Sequence, residues 1–439
     1  MQEPSFNVSR NGMSSNVEDY IIHNLNKFDE IPEKRPSYDE IRERRGREKY
    51  EGAFVFQPTP GLYEDICIFD FTSMHASIIV SYNLSKSTLL EKKEKECIES
   101  PEFELNKEKR KFYFSRENGF FPSLLKEIVE LRKKYKQELK DKPDVIKKAR
   151  SNAFKLLANA YYGYLGFFGA RYYSIESAAT TLAFVRHFNK WTIEKVREKG
   201  YKVIFGDTDS VGFAIEKKTK EETKQFLKKL NSELPGIMEL DLEGFYKRGI
   251  WVAKRTGELG AKKKYALLSE DGKIKIRGFE TVRRDWCKLA RKLQNKIIKQ
   301  ILEDGNSEKS IQYIKEIVKK IKNREITKED LIIKTQLKKP LSEYKAISPH
   351  VIAARKMKEQ KIPIDMGKLI EYYIAEPKAN TKVKLVREKV KLPDEEGEYD
   401  ITYYLERQIL PAIENILQVF NVNAQEIIYG KKQMTLGDF

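Results

Sequence analysis

The segment KVIFGDTDSVGFAI, starting at Lys202, constrains the chain more than any other. Two short apolar runs flank a polar turn, which predicts an antiparallel hairpin. Its turn carries Asp207 and Asp209. A second strand, predicted over Ile66 to Phe71, runs through Ile66, Cys67, Ile68 and Phe69 and meets a carboxylate at Asp70. Carboxylates fixed at strand ends are a usual way to build a Mg²⁺ site, because the sheet sets the geometry and oxygen ligands suit a hard ion. Two such ions can activate a hydroxyl nucleophile and stabilise the leaving oxygen in phosphoryl transfer. Plainer readings stand beside this one. GDTDS is ordinary turn chemistry, and Asp70 can simply cap its strand. An EF-hand calcium loop is excluded, because Val211 stands where that loop needs an oxygen ligand.

The apolar residues Leu124, Leu125, Ile128, Leu131 and Tyr135 recur at helical spacing and predict a helix over Pro122 to Leu139. After a break at Lys142-Pro143, a second helix runs from about Val145 to Tyr162, where Gly163 and Gly166 loosen it. Together they read as an antiparallel helical hairpin. Lys155 and Asn159 lie one turn apart on one face, and Arg132 and Lys136 repeat that spacing on the preceding helix. A cation-lined groove facing carboxylates is what a nucleoside triphosphate with bound Mg²⁺ requires. Any one of these residues, taken alone, reads as a solvated surface charge.

At 439 residues the chain exceeds one compact core, and domain-size statistics suggest about three units. Its 84 Lys and Arg outnumber its 66 Asp and Glu, a formal charge of +18. That surplus points to a polyanionic partner, usually nucleic acid. Cys67, Cys97 and Cys287 are widely separated and form neither a zinc spacing nor a disulfide framework. There is no signal peptide and no apolar run long enough to cross a membrane, so a soluble, intracellular protein is expected. Residues 86–118 are highly charged, and KKEKEC before Ile98 reads as solvated. YDEIRERRGREKY, from Tyr38, reads as a charged helix or arm. A strand pair turns at Asp271-Gly272, a helical and amphipathic pattern runs from Asp285 to about Ile321, and the remainder reads as mixed and mostly helical.

In this order, these segments resemble the family B DNA polymerases, and their archaeal replicative branch in particular. DFTSMHASII, from Asp70, resembles the first polymerase motif. KLLANAYYGYLG, from Lys155, resembles the second, and FGDTDS, from Phe205, the third. KKKY at Lys262 to Tyr265 resembles a palm motif that contacts the primer-template duplex. RGFETVRRDW, from Arg277, and EYKAISPHV, from Glu343, resemble further palm and thumb segments. The likeness runs from about Val8 to the C-terminus.

The resemblance implies an α+β right-hand polymerase with an antiparallel-sheet palm, two-helix fingers and a mostly helical thumb. Its parts would be a linker leading into the palm (1–60), palm (61–121 and 168–284), fingers (122–167), thumb (285–430) and a C-terminal tail (431–439). It implies that Asp70 and Asp209 bridge two Mg²⁺ ions, with Mn²⁺ as an alternative, the Phe71 carbonyl as a further ligand and Asp207 as a supporting carboxylate. Arg132, Lys136, Lys155 and Asn159 would hold the dNTP, with Lys155 donating a proton to the leaving pyrophosphate. Tyr162 and Gly163 would lie under the templating pair. Lys262, Lys263, Lys264 and Tyr265 would grip primer-template DNA. The archaeal cytosol or nucleoid is the implied location.

Several features depart from the family pattern. VSRNGMSS, at Val8, resembles the segment where the family's exonuclease domain has already ended, so this chain is expected to lack proofreading and to pair with a second polypeptide carrying it. The family's Tyr-x-Gly-Gly becomes Tyr50, Glu51, Gly52 and Ala53, where a positive φ would strain the alanine. RTGELGA, from Arg255, adds residues just before KKKY. His75 stands where the family has its steric-gate tyrosine, and Ala76 replaces the following proline. Imidazole is smaller than phenol and can hydrogen-bond, so a looser gate against ribonucleotides is expected. In the tail, Gln433, Leu436 and Phe439 have the spacing of a sliding-clamp-binding box. Two other functions compete with an active DNA polymerase: a catalytically dead subunit that only binds primer-template DNA, and a polymerase of another class such as a reverse transcriptase.

Overall fold

The strand that meets Asp70 runs from Gly61 to Phe71, longer than the apolar pattern predicts, and Ile66 to Phe69 are fully buried within it. The computed structural model describes residues 4–46, 50–105, 107–254, 257, 259–377 and 385–430. Two compact units divide the chain: residues 1–56 with 67–244, and residues 57–66 with 245–439.

In the first unit the hairpin forms as its turn chemistry predicts. Lys202–Asp207 and Ser210–Ala214 pair antiparallel, with Gly206 opposite Val211 and Asp207 opposite Ser210. Thr208 takes the left-handed turn conformation at φ +57°. The Ser210–Ala214 strand lies between its hairpin partner and the end of the Gly61–Phe71 strand.

The helical hairpin consists of Phe120–Asp141 and Val145–Leu165. Asp144 caps the second helix by accepting from the Lys147 N–H at 2.7 Å, which satisfies one of its first unpaired donors. Leu124, Leu125 and Ile128 are fully buried against Ala158 and Tyr161. Val17 and Ile21, from a helix at Met13–Ile22, complete this core. The N-terminal segment, polar in sequence, is thus packed through a short apolar stripe. In the charged 86–118 region KKEKEC is solvent-facing except for half-buried Cys97, while Phe103, Leu105 and Phe114 are buried.

In the second unit the strands within Leu240–Ala253, Gly260–Ser269 and Ile274–Arg277 run antiparallel, with Tyr265 opposite both Trp251 and Arg277. Gly278 has φ +68°, and a Cβ there would sit 2.0 Å from the Lys263 carbonyl oxygen, so only glycine fits under that strand. The core is an aliphatic cluster that includes Leu293, Ile297 and Ile301, Ile314 and Ile321, and Ile413 and Leu417.

Two readings for this unit become more specific. The pattern from Asp285 to Ile321 is two helices, Lys288–Asp304 and Glu308–Lys322. Gly305, at φ +79°, ends the first by taking a conformation that side chains disfavour. The mostly helical remainder also contains a three-stranded sheet of Ile333–Gln336, Leu369–Ile374 and Val390–Lys391.

Candidate active site

A cavity of about 540 Å³ in the first unit gathers residues from five separated segments. Asp70, Phe71 and His75 come from the first strand and the helix that follows it. Arg132 and Lys136 come from one hairpin helix, and Lys155, Asn159 and Tyr162 from the other. Asp209 comes from the β-turn, and Asp241 from the start of the Leu240–Ala253 strand.

Backbone geometry brings the two predicted carboxylates to one end of the sheet. The Phe71 N–H donates to the Asp209 carbonyl at 2.8 Å, so the end of Asp70's strand meets the turn that carries Asp209, just before the neighbouring strand begins. The turn is tight, with the Asp209 N–H donating to the Asp207 carbonyl at 2.6 Å. Both aspartates are half-buried. Ser73, at φ +49°, starts the helix Met74–Ser81, and its hydroxyl accepts from the Arg132 guanidinium. Burial lowers the Arg132 pKa, while Asp70 and Asp241 pull it the other way. Lys136 Nζ pairs with Asp241 Oδ2 at 2.6 Å. Lys155 and Asn159 are exposed to the cavity.

His75 lies against Tyr162, with ring centroids 4.5 Å apart and planes tilted by 38°. Burial pushes the imidazole pKa down to about 4, so the ring is neutral at physiological pH. Burial also raises the Tyr162 phenol, whose hydroxyl lies 3.4 Å from that of Tyr50.

Among the described residues, no group of three or more His, Cys, Asp or Glu side chains forms a metal cage. Two carboxylates and a nearby cationic wall still suit Mg²⁺, which keeps most of its waters and is normally held by one or two carboxylates plus substrate phosphates. Asp70, Asp209 and the Phe71 carbonyl are the groups that would hold such ions.

The profile of DNA polymerase family B matches residues 6–420. The chain belongs to DNA polymerase family B. It is 36% identical over 443 residues to a DNA polymerase of Pyrococcus glycovorans, covering 99% of this chain and 55% of that protein. To a DNA polymerase of Archaeoglobus fulgidus it is 32% identical, covering 99% of this chain and 55% of that protein. The solved structure of the family B DNA polymerase from Pyrobaculum calidifontis matches with a TM-score of 0.70 and 31% identity, over 95% of this chain and 52% of that one. The chain thus spans about half the length of the curated relatives it matches. Its fold is the family's α+β right-hand fold, with antiparallel-sheet palm, two-helix fingers and a largely helical thumb.

Not every residue expected at the site of this family B chain lines the cavity. Asp207 is absent from the lining. Its side chain accepts from Thr208 Oγ1 at 3.1 Å, and its backbone bridges to Val55. Gly163 is exposed but does not line the cavity either. Within KKKY, Lys262 and Lys263 are exposed, Tyr265 is buried, and Lys264 pairs with Glu280 at 2.8 Å. Gln433, Leu436 and Phe439 lie outside the described residues, as do Arg255, Thr256 and Glu258 of the inserted segment. Ala53 has a negative φ, and a Cβ at Gly52 would meet nothing within 4 Å. The strain expected there from losing a glycine is therefore absent. Arg186 instead pins this stretch by donating to the Glu51 and Gly52 carbonyls at 2.8 and 3.0 Å.

Asp241 was not singled out from sequence. Its signal is a carboxylate between Leu240 and Leu242 at the start of a strand, whereas Asp70 stands near the end of one.

Proposed function

We propose that the chain catalyses template-directed DNA synthesis, joining dNTPs to a primer 3′-hydroxyl. One observation carries this reading: a single cavity unites two strand-end carboxylates with Arg132, Lys136 and Lys155 from a helical hairpin. The 3′-hydroxyl gives up its proton to solvent, its oxygen attacks the α-phosphorus, the bond from that phosphorus to the bridging oxygen breaks, and pyrophosphate leaves. Arg132, Lys136, Lys155 and Asn159 bind and orient the triphosphate by charge-assisted hydrogen bonds. Lys155 would give a proton to the departing pyrophosphate oxygen. Two divalent ions, Mg²⁺ or Mn²⁺, would lower the pKa of the attacking hydroxyl and neutralise charge on the leaving group. The neutral ring of His75, braced by Tyr162, faces the sugar and sets the rejection of ribonucleotides. Lys262 and Lys263 contribute backbone contacts to primer-template DNA, in keeping with the net positive charge.

Primer extension with Mg²⁺ and dNTPs, wild type against Asp209→Asn, tests the reading. Templated extension by the wild type and its loss in the variant are expected. An inert wild type, also when supplied with an exonuclease-bearing partner, would favour a polymerase-like subunit that only binds DNA.

One further partner belongs to the same proposal. The tail from Gln433 to Phe439 is assigned to a sliding clamp. Deleting the last seven residues should abolish clamp-stimulated synthesis and spare distributive synthesis. Among the described residues no helix is long and apolar enough to cross a membrane, and an archaeal cytosolic location is proposed.

A further inference from the structure

Beside the catalytic cavity lies a second one of about 600 Å³. The two share Thr72, Arg132, Lys136 and Asp241. The Lys136–Asp241 ion pair therefore stands on the partition between them. Beyond it, the second cavity carries Lys133, Gln137 and Asn231, together with the carboxylates Glu130 and Glu239.

We infer that this side cavity is the route by which inorganic pyrophosphate leaves, and that Asp241 is the positioning residue that controls it through Lys136. The inference rests on the proposed polymerase reading. The chemistry follows from exchange of counter-ions. Lys136 has one ammonium and two candidate anions, the Asp241 carboxylate and a phosphate group of the bound nucleotide. The side chains of the pair are 45% and 54% exposed, so the pair is cheap to open. When phosphate holds Lys136, Asp241 is left facing an anion. When the bond from the α-phosphorus to the bridging oxygen has broken, the carboxylate competes to recover its lysine and pushes the dianionic or more highly charged product away. The side cavity's own lining balances three cations against three carboxylates, so it offers hydrogen bonds without a net charge that would trap the product. That is the lining a passage needs, in contrast with a storage site.

Equilibrium binding of magnesium pyrophosphate to the purified chain tests this without requiring turnover. Asp241→Asn is expected to tighten binding about two- to fivefold, the range an exposed ion pair supports. Glu239→Gln is expected to match wild type, because Glu239 pairs with Lys133 at 3.0 Å and not with Lys136. In extending enzyme, Gln137→Trp, an exposed helix position that lines only the side cavity, should slow multiple-turnover synthesis relative to single-turnover extension. Unchanged pyrophosphate affinity in Asp241→Asn would overturn the role of Asp241. An unchanged ratio of multiple- to single-turnover rates in folded Gln137→Trp would overturn the exit route. Loss of templated extension in the wild type, with the pyrophosphate shift intact, would instead count against the polymerase reading alone.

Discussion

Each unit of the chain holds a lysine–carboxylate pair, and the two pairs do different work. Lys136 and Asp241, on the wall of the candidate active-site cavity, are 2.6 Å apart with side chains 45% and 54% exposed. Lys264 and Glu280, in the second unit, are 2.8 Å apart with side chains only 13% and 6% exposed. Gln294 also donates to Glu280, at 2.7 Å. An exposed pair contributes about 0–1 kcal/mol and can change partners. Breaking a buried pair strands a charge and costs about 3–5 kcal/mol. The charges of the cavity pair are therefore available to a ligand, while the pair in the second unit holds its own fold. The contrast also separates the residues of KKKY: Lys262 and Lys263 face solvent, and Lys264 is spent on structure.

The largest test of this contrast is Glu280→Ala. It should destabilise the protein by about 3–5 kcal/mol, read as a fall in the denaturant midpoint, because a buried ion pair with Lys264 and a hydrogen bond from Gln294 would both be lost. Burial alone would raise the Glu280 pKa, but hydrogen bonds from Lys264 and Gln294 bring it below the usual value. Its stabilisation should therefore be present above the unfolded glutamate pKa and fade as pH falls through the lower folded value. Next in size is Lys155→Ala. Losing a charged hydrogen bond to phosphate should raise the apparent dNTP KM about ten- to a hundredfold, with little change in the denaturant midpoint. Asp241→Asn should alter stability by less than about 1 kcal/mol. A larger loss would show that the cavity pair is structural after all.

The smallest effects concern His75. In the folded protein it stays neutral down to about pH 4. An unfolded histidine protonates near its ordinary value of 6.5, so between these values the unfolded state binds more protons. Stability should therefore fall as pH drops from about 6.5 towards 4, and His75→Tyr should flatten that slope. The same variant should reject ribonucleotides more strongly in competition assays. Unchanged discrimination would remove His75 from sugar selection.

Much of the site was legible because it is local. An apolar strand ending at Asp70, a turn carrying Asp209, and residues four apart on a helix are all patterns within a few positions. Asp241 was not legible, since its partner Lys136 is 105 residues away. The same reason hides the three-stranded sheet of the second unit, whose short strands are joined only after the chain has folded. Gly305 carried a readable signal, an Asp-Gly-Asn sequence inside a helical pattern, but the amphipathic stripe on both sides masked it. The Ala53 expectation failed because glycine is permissive: its presence in a pattern does not prove that the backbone takes a positive φ.

The central claim is that the cavity of the first unit selects a nucleotide against a template. Fluorescence titration of the correct and an incorrect dNTP onto the chain bound to a 3′-dideoxy-terminated primer-template measures this directly. The wild type should bind the templated dNTP more tightly than the mismatched one, Lys155→Ala should weaken that binding, and folded Glu280→Ala should retain it. Equal affinity for templated and mismatched dNTPs in the wild type, or undiminished binding in Lys155→Ala, would contradict the account.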